Sequence, residues 1–248
     1  MTTVFHDLER DGVAVLRDAL DLETVTAARV QLDDVARAER DAGTAMLEDG
    51  RYRSGVNQRV FSLLGKGNVF WRFATAPKVL AIAREILGDQ VILLSAISAN
   101  IANLGGLAME LHADQHYVPR GTGYPILINA IWPLVEFTAE NGATLFVPGS
   151  HRDGRTSDAA AMTASPGSAI LFDGRTVHGT GMNTTTAGRP AILVTYCRAW
   201  VRPLVNHLLE LPPGLVATMD PELRELLGCR PWHAHGLTET TYALRLEK

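Results

Sequence analysis

The sequence predicts an α+β fold in which helices come first and a β sandwich or barrel follows, and three observations carry that prediction. Helix-period apolar spacing is confined to the first ninety or so residues and to a short stretch near residue 220. From about Gln90 to Trp200 the chain turns into short β-type runs separated by Gly, Pro and Asn. No helical pattern alternates with those runs, so antiparallel strands are expected rather than β-α-β units.

The elements follow in order. After a polar start, Gly12 to Leu16 reads as a short opening strand. Asp21 is placed to cap a helix whose stripe of Leu22, Val25, Ala28, Val30, Leu32 and Val35 runs to about Ala42. Pro77 in a first turn and Gly88 as a stop bound a second helix that ends at Leu87. The β-type runs are VILLSAISANI, LAMELHAD, ILINAIWPLVEF, ATLFVPG, SAILFD and AILVTYCRAW. A last short helix, Asp220 to Leu227, has Pro221 in its first turn and Gly228 behind it. A chain of 248 residues is enough for one domain with a sizeable core and too short for two ordinary ones, so 1-248 reads as a single domain.

Composition excludes several classes. With 46% hydrophobic and 20% charged residues the chain is neither disordered nor fibrous. A net charge of -4 supplies no basic footprint for nucleic acid. No apolar run reaches the length of a membrane span, and MTTVFHDLERDG carries acids early without the apolar stretch of a secretory leader. Cys197 and Cys229 do not make a disulfide framework. A protein of the reducing cytoplasm, with a small-molecule rather than a nucleic-acid or membrane partner, is expected.

The densest chemical signal is LHADQHYVP. His112 and Asp114 are two apart, so on a strand both would project from one face and reach one ion. His178, in FDGRTVHGTG, is the candidate third ligand. Two histidines and a carboxylate on one face of an ion form the facial triad of non-haem iron oxygenases, with the remaining positions open. Taken alone, the pair fits the solvated face of a strand as well, and zinc suits the same donors. Arg189 lies eleven residues beyond His178, at the entry to AILVTYC. A guanidinium inside a strand calls for an anion and is suited to a two-pronged grip on a carboxylate; exposed in the Gly188-Pro190 turn it would need none.

HADQHYVP, ENGATLFVPGSH, ILFDGRTVHGTGMN and Arg189, in that order, resemble the phytanoyl-CoA dioxygenase family of Fe(II)/2-oxoglutarate-dependent oxygenases. The likeness covers roughly residues 90 to 200, with weaker similarity in VFWRFATAPKVLAIAREILG and PELRELLG. It implies a double-stranded β-helix (jelly-roll, cupin-like) core with flanking helices. It makes His112, Asp114 and His178 the Fe(II) ligands and Arg189 the partner of the distal carboxylate of 2-oxoglutarate. Thr180 and Thr144 would hydrogen-bond the co-substrate, Trp132 would form an aromatic wall of its pocket, and Arg59 and Ile97 align more loosely with the same contacts. Met109 stands where many relatives carry a co-substrate-binding glutamine; His116, read on the ligands' strand face, either lines the substrate side with Tyr117 or hydrogen-bonds behind the ligands.

The implied reaction couples O2 and 2-oxoglutarate to oxidation of a small, natural-product-type molecule, with succinate and CO2 as co-products. Related halogenases replace the carboxylate ligand by a small residue; Asp114 is kept here, which points to C-H hydroxylation. Desaturation, epoxidation and oxidative ring closure would use the same ligands. The alternatives from other classes are a zinc-dependent hydrolase or isomerase and a non-catalytic ligand-binding jelly roll. The Arg51 to Arg59 stretch, the Tyr117 to Tyr124 loop and the tail around Trp232 to His235 are candidate substrate walls. Elsewhere, Asp173 reads as a turn residue, His151 as a loop-ordering one, His233 and His235 as rim or surface, and His207 shows nothing specific.

Overall fold

The computed structural model describes residues 2–49, 52–88, 90–118, 123–230 and 232. Helix α1 (Thr2–Asp11) precedes strand β1 (Val13–Leu16) and helix α2 (Leu22–Asp41). Strands β2 (Met46–Asp49) and β3 (Tyr52–Val60) pair with each other, and α3 (Trp71–Ala74) and α4 (Pro77–Leu87) lead on to β4 (Ile92–Ala102). Then come β5 (Leu127–Pro133), β6 (Thr144–Phe146), α5 (Ser150–Asp153) and β7 (Ala160–Ala161). Strands β8 (Ala169–Asp173), β9 (His178–Thr180) and β10 (Arg189–Arg198) complete the β region. Among the described residues the tail carries the short α-helices α6 (His207–Glu210), α7 (Pro213–Ala217) and α8 (Pro221–Arg224), the last running into a π-helical turn at Glu225–Cys229.

Local chemistry sets the helix ends. The Asp21 carboxylate accepts a hydrogen bond from the Thr24 N–H at 2.7 Å and so satisfies an otherwise orphaned donor of α2. Helix α4 starts on Pro77 and stops at Gly88, whose φ of +67° is the left-handed geometry that glycine adopts without a Cβ clash. Helix α1 was not expected from the sequence. It buries only Val4 and Leu8, so its apolar signal is a single i, i+4 pair in a polar stretch.

The strands form a larger antiparallel sheet in the order β1-β8-β5-β10-β4-β3-β2 and a smaller one in the order β7-β6-β9. Phe146 of the smaller sheet meets Phe172 of the larger one with ring centroids 5.0 Å apart. Ile131, Ile170, Phe137 and Ala191 extend this inner core. The outer face of the larger sheet is covered by the helices, whose Leu32, Phe73 and Ile82 join Trp132 and Tyr196 in the main hydrophobic cluster. Two facing antiparallel sheets with helices on one side make the expected jelly-roll core with flanking helices. No helix among the described residues is long and apolar enough to cross a membrane, and Cys197 and Cys229 are free.

Two expectations are corrected. LAMELHAD is not a strand: His112 makes an isolated bridge to His178, and Asp114 opens a 3-10 turn, Asp114–Tyr117. Trp132 does not wall the co-substrate pocket. Side chains alternate along β5, so Ile131 faces the inner core while Trp132 points to the helices, 1% exposed and edge-on to Phe73 at 5.4 Å. Trp132→Ala is therefore expected to cost about 3–5 kcal/mol in a urea unfolding titration, with 2-oxoglutarate affinity unchanged in the folded fraction. A loss of co-substrate affinity without a loss of stability would return Trp132 to the pocket.

Candidate metal centre

His178 opens β9, and its backbone N–H and C=O exchange hydrogen bonds with those of His112, 2.9 Å in each direction. This reciprocal pair, rather than a shared strand face, brings the two imidazoles within 4.6 Å, centroid to centroid. Asp114 follows one extended residue later, at Ala113 (φ -112°, ψ 136°), so its carboxylate turns back toward both rings. Its Oδ1 lies 3.5 Å from His112 Nε2 and its Oδ2 3.7 Å from His178 Nε2. The three donor atoms all fall within 4.8 Å of one another.

Hydrogen bonds behind these groups fix their orientation. His112 Nδ1 lies 2.9 Å from the Glu110 carbonyl and His178 Nδ1 3.0 Å from the Thr176 carbonyl, so each Nδ1–H donates to backbone and each Nε2 is the atom turned toward the other donors. Asn129 donates from Nδ2 to Asp114 Oδ2 at 3.0 Å and accepts from the Thr195 hydroxyl at 2.6 Å. Phe172 and Phe146 flank the His178 ring at 4.5 and 5.8 Å and shield it from water.

Ionisation agrees with a ligand set. Burial opposes the charge on Asp114, yet the His112 hydrogen bond and the neighbouring imidazoles hold its carboxyl below the usual range. The same contact raises His112, whereas burial lowers His178. Two imidazoles and one carboxylate, converging from one side, suit a divalent transition metal with positions left open for other ligands.

Gly179 sets how closely the ligand segments approach. A Cβ there would stand 2.8 Å from the Met109 carbonyl oxygen and 3.3 Å from that of Glu110. Both contacts are backbone, so Gly179→Ala has to push the 109–112 segment off β9. Its expected result is a tenfold or greater loss of Fe(II) affinity, about the size seen when ligand orientation is disturbed, measured by anaerobic titration. Unchanged affinity would show that the two segments move independently.

The triad lines a cavity of about 430 Å3 together with Arg189, Thr180, Thr144, Ile97, Arg59 and Met109. Arg189 is 1% exposed, and its Nε and Nη2 have no hydrogen-bond partner among the described residues. Its guanidinium rests on the Phe137 ring, 4.5 Å from the centroid. Burial, reinforced by the charge of Arg59, pushes its pKa down to about 9, which leaves it protonated at neutral pH. Thr144 and Thr180 face each other across β6 and β9, and the Thr180 hydroxyl accepts a hydrogen bond from Asn100 at 3.1 Å. Arg59 is tied to Glu48 at 2.6 Å, and its Nη2 lies 4.0 Å from the Met109 sulfur. Met109 thus occupies a wall where charge comes from Arg59.

Other expectations sort as follows. His116 is exposed and lines a separate cleft beside His112, with Gln115, His151 and Arg152, rather than the triad cavity. The side chain of Tyr117 lies outside the described residues, as do residues 51, 119–122, His233 and His235. His151 approaches the Glu9 carbonyl at 3.3 Å and ties its loop to α1. Asp173 ends β8, and its carboxylate accepts from the Arg175 N–H at 2.8 Å and so holds the turn that follows. Sequence reasoning missed Asn129, Asn100, Thr195 and His207. The first three were visible as polar residues inside otherwise apolar strands, a pattern that calls for buried partners.

Fold and site together are those of a jelly-roll protein carrying a two-histidine, one-carboxylate donor set. The phytanoyl-CoA dioxygenase (PhyH) family model matches residues 8–191, and the chain belongs to that family. The triad offers the donors that an Fe(II)- and 2-oxoglutarate-dependent dioxygenase of that family needs. Dioxygenase af480 of Aspergillus fumigatus is 38% identical over 183 residues, which cover 69% of this chain and 59% of that protein. The match therefore spans less than two thirds of that relative. Among solved structures, the non-heme alpha ketoglutarate dependent epimerase SnoN from nogalamycin biosynthesis superposes with a TM-score of 0.66 at 23% identity, covering 89% of this chain and 91% of SnoN. The carbocyclase SnoK from the same biosynthesis gives 0.69 at 20% identity, covering 86% and 91%.

Proposed function

We propose that this chain oxidises a C–H bond of a small, natural-product-type molecule, by hydroxylation, while converting 2-oxoglutarate and O2 to succinate and CO2, and that 1-248 works as one catalytic domain. The observation that carries this reading is Arg189, a buried and unpartnered guanidinium in the same cavity as the His112, Asp114 and His178 donors. A buried cation without an anion is costly, so a carboxylate ligand accounts for its place. In this reading the triad holds iron, Arg189 grips the distal carboxylate of the keto acid, and Thr180 and Thr144 offer hydroxyls to it. Arg59 adds positive charge on the Met109 side, and Ile97 supplies an apolar wall.

Iron bound there supplies O2 activation coupled to decarboxylation of the keto acid. The chain's residues do the rest. Asn129 holds the Asp114 carboxylate, the Glu110 and Thr176 carbonyls hold the imidazole tautomers, and Phe172 and Phe146 keep water from His178. Hydroxylation is favoured by Asp114, which fills the ligand position with a carboxylate. The fold shared with an epimerase and a carbocyclase supports epimerisation or ring closure as second readings on the same ligands, beside desaturation and epoxidation. Two free cysteines fit a reducing, cytoplasmic setting.

The test is direct. Anaerobic addition of Fe(II) and then 2-oxoglutarate to the purified protein is expected to give a visible charge-transfer band, and a metabolite panel is expected to reveal substrate-dependent succinate. Absence of the band, together with zinc-dependent hydrolysis, would overturn the proposal.

A further inference from the structure

The cavity has a second polar end that neither the triad nor Arg189 uses. Ser62, His207 and Glu210 line it beside Phe61, Leu204 and Val205. Glu210 accepts a hydrogen bond from the Ser62 hydroxyl, and its Oε2 lies 3.5 Å from His207 Nδ1. His207 is 5% exposed, with no hydrogen-bond partner for either ring nitrogen among the described residues. Ser62 sits in the left-handed region at φ 59°, a strained conformation for a non-glycine residue that persists where surroundings hold it.

The support is rigid. Leu204 N–H donates to Ser95 Oγ at 3.0 Å and Val205 N–H to the Ser95 carbonyl at 2.9 Å, which pins the segment leading into α6 against β4. Asn206 caps α6 by accepting from Leu209 N–H at 3.3 Å. Phe61 and Leu204, 47% and 61% exposed, present apolar surface where the cavity meets solvent. Apolar walls with a few placed polar groups are how pockets combine affinity with a fixed ligand orientation.

We propose that Glu210, positioned by Ser62 and His207, accepts a hydrogen bond from a hydroxyl or amino group on an otherwise apolar substrate and so sets which C–H bond faces the triad. The last clause rests on the oxygenase reading; the recognition itself does not. Burial lowers His207 below its ordinary range while the nearby Glu210 charge acts against it, and Nδ1 is the ring atom on the Glu210 side. A carboxylate offers about four acceptor positions, so the hydrogen bond from Ser62 and the approach of His207 leave room for a ligand donor. Glu210 is exposed at the mouth of the cavity, so selectivity arises when a ligand closes over it: a ligand without a donor would then strip water from the carboxylate and leave the lost hydrogen bond unreplaced.

Three fused two-ring probes of matched shape test the inference: 2-decalol, 2-aminodecalin and 2-methoxydecalin, titrated calorimetrically into the anaerobic enzyme with Fe(II) and 2-oxoglutarate. The alcohol, the amine or both are expected to bind about tenfold or more tightly than the ether. Glu210→Leu should erase that preference while keeping the Fe(II)–2-oxoglutarate band, which also reports that the variant is folded. Glu210→Gln, the conservative variant, should retain preference for the alcohol and lose it for the amine, and so carries the test if the leucine variant fails to fold. Equal binding of the ether, a preference that survives Glu210→Leu, or no binding of any probe would overturn the proposal. A wild-type protein that shows the preference without the band would refute the oxygenase reading alone.

Discussion

Arg189→Met is expected to raise the 2-oxoglutarate concentration needed for half-saturation by about a hundredfold or more, with Fe(II) affinity changed only a few-fold. Truncating one partner of a buried, hydrogen-bonded charge pair costs about 2–5 kcal/mol, and each 1.4 kcal/mol is a factor of ~10. Methionine keeps an unbranched stem against Phe137 and removes the cation. In the free protein the sign reverses. Arg189 is protonated and buried without an anion, so the variant should be the more stable of the two until co-substrate is added. The pH dependence follows from the same shift. The folded-state pKa, about 9, is below the ordinary arginine range, so between the two the unfolded chain holds a proton that the folded chain has released. Stability of the free protein therefore rises with pH through that window, and the full cost is present at neutral pH. Thermal unfolding with and without 2-oxoglutarate reads both effects. Wild type should gain in Tm on addition of the keto acid and Arg189→Met should not. Equal gains would remove Arg189 from the co-substrate site.

Much of this was legible in the sequence because the β region is so apolar. Strands β1, β4, β5, β8 and β10 coincide with the runs read from residue pattern, and the caps at Asp21 and Gly88 mark helix ends where expected. The His112 to Asp114 spacing survived for a different reason from the one that suggested it. An extended residue at Ala113 is enough to set the two side chains, and a bridge to His178 replaces the strand. Trp132 shows where likeness to relatives outran local physics. The alternation of β5 decides its side, since Asn129 and Ile131 line the cavity and Trp132 joins the helix-side core. His207 and Glu210 were beyond reach, because Glu210 finds Ser62 across 148 positions of chain and no spacing rule connects them. Resemblance located the iron end of the cavity; only packing located the other end.

Asp114 should separate a metal centre from a merely polar cluster. Asp114→Ala leaves His112 and His178 with their Nδ1 atoms still held by the Glu110 and Thr176 carbonyls, so the two imidazoles remain in place. The fold should persist. The variant strands one donor of Asn129, at a cost of about 1–3 kcal/mol, and removes the carboxylate whose contact raises His112. What is lost is the carboxylate whose two oxygens face the two Nε2 atoms, Oδ1 at 3.5 Å from His112 and Oδ2 at 3.7 Å from His178. Disturbing a group that only orients a ligand weakens metal binding by about 10–100-fold, which is the range expected for Asn129→Ala. Removing the ligand itself should exceed that range, so Asp114→Ala is expected to lose more than ~100-fold in Fe(II) affinity and, with it, the charge-transfer band and succinate formation. The ranking of the two variants matters more than either value, because a general loss of stability would lower both alike. Metal affinity that falls further in Asn129→Ala than in Asp114→Ala would place the ion elsewhere.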